Sequence, residues 1–227
     1  MKLGVLFSGG KDSCYALHLA MRKGHEIVCL ISVVSENPES YMFHTPGIEL
    51  TKMQAECAGI PMIQKATRGV KEAELSDLRD AMRQAKDRFG IKGIVTGALE
   101  SVYQSSRIQR ICDELSLWCF NPLWLKDQRE LLEEITVKGF KVMITGVFAY
   151  PLDKSWLGKT IDSGVVERLL ALRDKYQISP AGEGGEIETT VLDAPFFKKR
   201  LDVSDYDIDY EENSGRLLIR KAEVRDK

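Results

Sequence analysis

Leu3-Gly4-Val5-Leu6-Phe7-Ser8-Gly9-Gly10-Lys11-Asp12-Ser13 is the stretch on which the fold turns. A short apolar run stops at Ser-Gly-Gly, and a helix-patterned segment over residues 12–23 follows at once, closed by Gly24. Strand, glycine loop and helix in that order make a phosphate cradle. Glycines let the backbone turn tightly and aim its N–H groups at a ligand, and the helix adds its positive end. Lys11 supplies a mobile cation, and Ser8 and Ser13 supply hydroxyls. The loop is not a Walker A sequence: Val5 stands where Gly is required and Asp12 where Ser or Thr is required. The dinucleotide pattern Gly-x-Gly-x-x-Gly is absent as well. The plain alternative is a tight turn capped by Asp12 or Ser13, which has no need of Gly-Gly-Lys.

Outward from the loop, apolar runs alternate with helical patterns. Strands are expected over residues 26–34, 61–65 and 91–96, and helices over about 46–58, 70–89 and 101–115. Strands separated by helices of this length predict an α/β fold with a doubly wound parallel sheet. The second half is patterned differently, with a helix over 127–138, a strand over 141–147, a helix over 164–176 and then a glycine-rich stretch. Residues 200–210 and 216–224 alternate apolar and polar around Asn213-Ser214-Gly215, which predicts a terminal antiparallel hairpin. A boundary near Asn121-Pro122 gives an expected nucleotide-binding domain of residues 1–121 and a smaller α+β domain of residues 122–227.

Composition narrows the function. Hydrophobic residues make up 44% and charged residues 29% of the 227, an ordinary globular mix that excludes disordered and low-complexity architectures. No apolar run approaches the roughly 18 residues that span a bilayer. The N-terminal apolar run is too short for a signal peptide, so no membrane partner and a cytoplasmic location are expected. Lys plus Arg (32) against Asp plus Glu (34) leaves a net charge of −2, with no global pull toward nucleic acid. Cys14, Cys29, Cys57, Cys112 and Cys119 form no Cys-x-x-Cys pair and are expected as reduced, buried thiols rather than zinc ligands.

The loop resembles the pyrophosphate loop, Ser-Gly-Gly-x-Asp-Ser, of the N-type ATP pyrophosphatases, which have a Rossmann-like fold of the adenine nucleotide alpha-hydrolase type. That resemblance implies that Ser8, Gly9, Gly10, Lys11, Asp12 and Ser13 bind the β- and γ-phosphates of ATP. Asp12 would help hold Mg²⁺, and the adenine would lie near Leu30, Ile31 and Ser32. Further segments are similar to the diphthine–ammonia ligase family. These are Tyr41-Met42-Phe43-His44-Thr45-Pro46, Gly97-Ala98-Leu99-Glu100-Ser101 with Tyr103, Gln104 and Arg107, and Pro122-Leu123-Trp124 with Asp127-Gln128. The most specific is the block Gly182-Glu183-Gly184-Gly185-Glu186-Ile187-Glu188-Thr189-Thr190-Val191-Leu192-Asp193-Ala194-Pro195, with Ile187 where that family commonly carries Tyr.

The resemblance implies a ligase forming a C–N bond. It would amidate diphthine on translation elongation factor 2, consuming ATP and ammonia and releasing AMP and pyrophosphate. It also implies His44 and Gly97 at the nucleotide, and Glu100, Tyr103, Gln104, Arg107, Glu183, Gly184, Gly185, Glu186, Thr189 and Asp193 at the substrate, with Lys11, Asp12, Glu186 and Glu188 catalytic.

Physically, Glu186 and Glu188 lie two apart, so on a strand both carboxylates face one side, where they can orient ammonia, take its proton or attract a quaternary ammonium. Otherwise the pair is a solvated acidic edge. Arg107 reads as a clamp on phosphate or carboxylate, or as a surface arginine paired with a neighbour. Trp118, Trp124 and Trp156 are expected in the core or between domains. No glutaminase unit is evident, so free ammonium or ammonia from another protein is the expected donor, and a homodimer is compatible with this reading. Competing readings are an amide ligase for a small-molecule carboxylate, tRNA thiolation, and a non-catalytic ATP sensor. Thiolation calls for a reactive cysteine or metal cluster and a basic RNA-binding extension, none of which is evident.

Overall fold

The first strand, β1 (Lys2–Leu6), runs up the centre of a five-stranded sheet in a computed structural model that describes residues 1–35, 50–67 and 73–227. It is followed by α1 (Lys11–Arg22), β2 (Glu26–Ser35), α2 (Thr51–Ala58), β3 (Met62–Thr67), α3 (Ala73–Phe89), β4 (Gly93–Val95), α4 (Val102–Glu114) and β5 (Trp118–Phe120). The sheet order is β3-β2-β1-β4-β5 with every pairing parallel. The chain winds from β1 out to β3, then returns to lay β4 on the other side of β1, with Val5 opposite both Leu30 and Val95. That reversal opens a crevice at the carboxyl ends of β1 and β4, where ligands of such sheets bind. The expected parallel α/β sheet is therefore present. Its edge strand β5 is an addition to the expected elements, and the start of the helix expected at 46–58 lies outside the described residues.

The second half builds α5 (Gln128–Val137), β6 (Lys141–Val147), a one-turn 3-10 helix (Lys154–Trp156), α6 (Ser163–Tyr176), β7 (Ile187–Asp193), β8 (Lys199–Glu211) and β9 (Ser214–Asp226). Carboxylates begin both helices: Asp127 accepts from Glu130 N–H and Asp162 from Val165 N–H, which satisfies first-turn donors that have no partner within the helix. β6 to β9 form an antiparallel sheet in the order β7-β6-β9-β8, and β8 and β9 are the expected terminal hairpin.

One face of the parallel sheet buries Cys29, Ile31, Val33, Ile63 and Ile94 against Leu78 and Met82 of α3 and Ile108 and Ile111 of α4. The other face shares a continuous core with the second sheet. Leu3, Val5, Tyr15 and Leu17 join Leu131, Val142, Ile144, Trp156, Leu169 and Val191. Trp156 is in that core as expected, whereas Trp118 and Trp124 are 42% and 38% exposed. Edge strand β5 leaves Trp118 stacked on Phe120 in the open, with ring centroids 4.8 Å apart. Among the described residues, no helix is long and apolar enough to cross a membrane.

Candidate active site

The Ser8–Ser13 loop sits where β1 ends and α1 begins, at the crevice. Gly9 has φ +77°, a left-handed conformation that favours glycine, and a Cβ there would collide with Gln54. Gly10 is the N-cap of α1 and offers no side chain to its amides. Ser13 Oγ donates to Gly10 O (3.1 Å), and Ser8 Oγ lies 3.2 Å from Ser13 Oγ. Gly97 follows β4, and a Cβ there would come within 2.8 Å of the Asp12 and Ser13 backbone, so only glycine lets the two segments meet.

Edge strand β7 closes the other side of the loop. Val191 N–H donates to Gly9 O (2.9 Å), and Lys11 N–H donates to Thr189 Oγ1 (3.1 Å). Gln54 on α2, fully buried, donates from Nε2 to Gly9 O (2.9 Å) and to Val191 O (2.8 Å), welding loop to strand. Thr189 thus touches the loop itself. Lys11 is not the mobile cation expected from its position. It is 4% exposed, with its ammonium 2.8 Å from Asp12 Oδ2 and donating to Ala181 O at 2.5 Å. Asp12 Oδ1 is buried without a hydrogen-bond partner among the described residues, an acceptor that suits a cation. No group of three or more metal-ligating side chains occurs among them, so a metal would take its remaining ligands from phosphate and water, as Mg²⁺ commonly does.

Beyond Lys11 opens a cleft of about 820 Å³, whose walls include Glu100, Ser101, Gln128, Ser179, Glu183 and Glu186. Glu183 stands between this cleft and the loop, and its Oε2 accepts from Glu100 N–H at 3.3 Å. Burial first, and then the Asp12 charge, push its carboxyl up to about 7, with Lys11 opposing the rise. A carboxyl near neutrality, between the glycine loop and a polar cleft, suits proton transfer at physiological pH.

Glu186 immediately precedes β7, and its carbonyl accepts from Phe148 N–H at 2.9 Å. Its carboxylate accepts from Ser179 N–H and Gly184 N–H (both 2.9 Å) and shapes the loop that carries Glu183. Glu188 lies on β7 opposite Gly146. Gly185, at φ +85°, turns the chain into that strand. Asp193 pairs with Lys227 Nζ (2.7 Å) and its Oδ1 accepts from Ala194 N–H, which fastens the C-terminal strand. Arg107 lies over the Tyr103 ring (3.6 Å), and Gln104 N–H donates to Ser101, which caps α4. Ile31 and Ser32 are buried within the sheet, with Ile31 O accepting from Phe7 N–H. His44 lies outside the described residues. Cys14, Cys29, Cys57 and Cys112 are buried free thiols, and Cys119 is partly buried. Sequence reasoning passes over Gln54, which carries no motif, and assigns no role to Gln128.

Family models described as the diphthamide synthase N-terminal domain and the diphthamide synthase C-terminal domain match residues 1–119 and 127–224. The diphthine–ammonia ligase of Schizosaccharomyces pombe is 35% identical over 100% of this chain, which spans only 40% of that protein's length. The diphthine–ammonia ligase of Mus musculus is 35% identical over 88% of this chain and 82% of its own. A solved structure described as a predicted subunit of tRNA methyltransferase from Methanocaldococcus jannaschii aligns over 86% of this chain and 98% of its own, at 16% identity and a TM-score of 0.44. Matched in both halves, and over nearly its whole length, the chain belongs to the diphthamide synthase family.

Proposed function

We propose that this protein catalyses the ATP-dependent amidation of diphthine on translation elongation factor 2, the step that yields diphthamide. A carboxylate is a poor acyl donor; ATP supplies the leaving group, so that adenylation activates the carboxyl and ammonia displaces AMP, with pyrophosphate released. The observation that carries this reading is the contact between loop and cleft at Lys11. Its N–H and ammonium bind Thr189 and Ala181 of the second half, so phosphate cradle and acidic block form one site.

In this reading residues 1–121 bind the nucleotide and residues 122–227 present the acceptor. The backbone of Ser8–Ser13 holds the phosphates, aided by the helix end. Lys11 draws Asp12 and the Ala181 carbonyl together and orders the cradle. Asp12 Oδ1 would hold Mg²⁺, which when bound neutralises charge developing on pyrophosphate. Glu183 takes the proton that ammonium must lose before its nitrogen can attack, and the cleft beside it admits the acceptor side chain.

Product analysis tests the reading with labelled ATP, ammonium and elongation factor 2 carrying diphthine. AMP and pyrophosphate should form in step with replacement of a carboxyl oxygen by nitrogen on the factor, seen by mass spectrometry. AMP formed with no change on the factor redirects the chemistry to another carboxylate. ATP bound without AMP formation overturns the ligase reading.

A further inference from the structure

The walls of the cleft are tied to each other by a closed ring of hydrogen bonds, and Gln128, the first residue of α5, is its hub. Gln128 Nε2 donates to Glu100 Oε1 (3.0 Å). Gln128 Oε1 accepts from Ser179 Oγ (2.8 Å) and from Ala181 N–H (3.1 Å). Ser179 Oγ in turn accepts from Glu183 N–H (2.9 Å), and Glu183 Oε2 accepts from Glu100 N–H (3.3 Å), which closes the circuit. A branch leaves it at Ala181, whose carbonyl accepts from the Lys11 ammonium.

Only a primary carboxamide meets these demands at once. Its nitrogen must donate to a carboxylate while its oxygen accepts from a hydroxyl and a backbone N–H. Glutamate at this position keeps the acceptor but sets a like charge against Glu100. Leucine has the bulk and neither function. α5 itself does not depend on the side chain, because Asp127 caps it and Leu131, Leu132 and Ile135 anchor it in the core.

We propose that Gln128 is a positioning residue for the amidation: it sets the Ser179–Glu186 loop so that Glu183 and the Ala181 carbonyl stand correctly against the phosphate loop. The proposal rests on the functional reading above for its kinetic consequence, but the tie itself is independent of that reading. Because the phosphate loop is held separately by Gln54, Thr189 and Val191, loss of Gln128 should disturb the chemical step and spare ATP binding.

The test compares Gln128→Leu and Gln128→Glu with wild type in full-length protein. Gln128→Leu is expected to lower kcat roughly 10–100-fold, the cost of displacing a reacting group by about an ångström, with ATP affinity held within about threefold. Gln128→Glu should recover part of kcat, since it restores the acceptor for Ser179 and Ala181. Amide hydrogen exchange provides a readout that needs no activity: Ala181 and Glu183 should lose protection in Gln128→Leu, while α5 keeps it. Unchanged kcat in Gln128→Leu, or a fall in kcat matched by an equal fall in ATP affinity, overturns the proposal. So does unchanged exchange at Ala181 and Glu183. If wild type forms no amide while exchange still responds, the functional reading fails and the tie stands.

Discussion

Replacing Gln54 by leucine probes the seam on which the site depends. The side chain is fully buried, and its Nε2 serves Gly9 O at 2.9 Å and Val191 O at 2.8 Å. Leucine fills similar space without donors. The loss is two hydrogen bonds, each worth about 1 kcal/mol net, and Val191 O is deprived of its side-chain donor at a further cost of about 1–3 kcal/mol. Gly9 O keeps the Val191 N–H, which limits the damage on that side. One term runs the other way: Gln54 Oε1 is itself buried without a partner among the described residues, so removing it recovers about 1–3 kcal/mol. The net destabilisation is about 1–3 kcal/mol, read as a lower urea midpoint at unchanged m-value. ATP has to reorder the freed loop, so its Kd, measured by calorimetry, should rise about tenfold for each 1.4 kcal/mol of that cost. The companion variant Gly9→Ala adds a collision with Gln54, and Gln54→Ala should relieve it, giving a coupling of about 0.5–3 kcal/mol in a double-mutant cycle. A Gln54→Leu protein with wild-type stability and ATP affinity would refute the idea that this glutamine joins the two halves, and additive behaviour of the Gly9 and Gln54 variants would refute the packing argument.

Glu183 makes the protein pH-sensitive in a defined direction. Its carboxyl is raised from 4.5 to about 7, so between those values the folded state holds a proton that the unfolded state has released, and stability falls as pH rises through that window. At 1.36 kcal/mol per pKa step the ceiling is about 3 kcal/mol, and partial solvent access reduces it to about 1–2 kcal/mol. Glu183→Gln should therefore lose less stability than wild type between pH 5 and pH 8 in urea titrations; parallel profiles contradict this. The same substitution should abolish the rise of kcat with pH near neutrality, which a pH–rate profile reads directly. Lys11→Ala should lower AMP formation by roughly 100-fold or more. Lys11→Arg should not restore it, because a site 4% exposed has no room for a guanidinium fork; restoration by arginine would show that charge alone suffices there.

Local pattern carried much of this protein. The apolar runs at Leu3–Phe7 and Glu26–Val34, the helices between them and the alternating terminal segments announced a parallel sheet followed by a hairpin. They did so because a strand covered on both faces reads as an unbroken apolar run, a strand covered on one face alternates every two residues, and a helix repeats every 3.6. The Ser8–Ser13 loop was legible because its glycines, lysine and serines are contiguous in the chain, and its place between strand and helix is itself local. β5 escaped notice because three residues, Trp118-Cys119-Phe120, are too few to show a period. The bonds of the Glu186 carboxylate to Ser179 N–H and Gly184 N–H escaped notice for a related reason: a loop shaped by Gly185 at φ +85° shows no period.

What no local pattern carries is the partnership between distant segments. Gln54 meets Val191 across 137 residues and Lys11 meets Ala181 across 170, and neither contact leaves a periodic trace. The sequence marked the glycine loop and the acidic block separately. Folding buried Lys11, turned Glu186 inward as a loop brace, and left Glu183 as the raised carboxyl at the cleft. Burial and neighbouring charge set the behaviour of an ionisable group, and both exist only when the chain is packed.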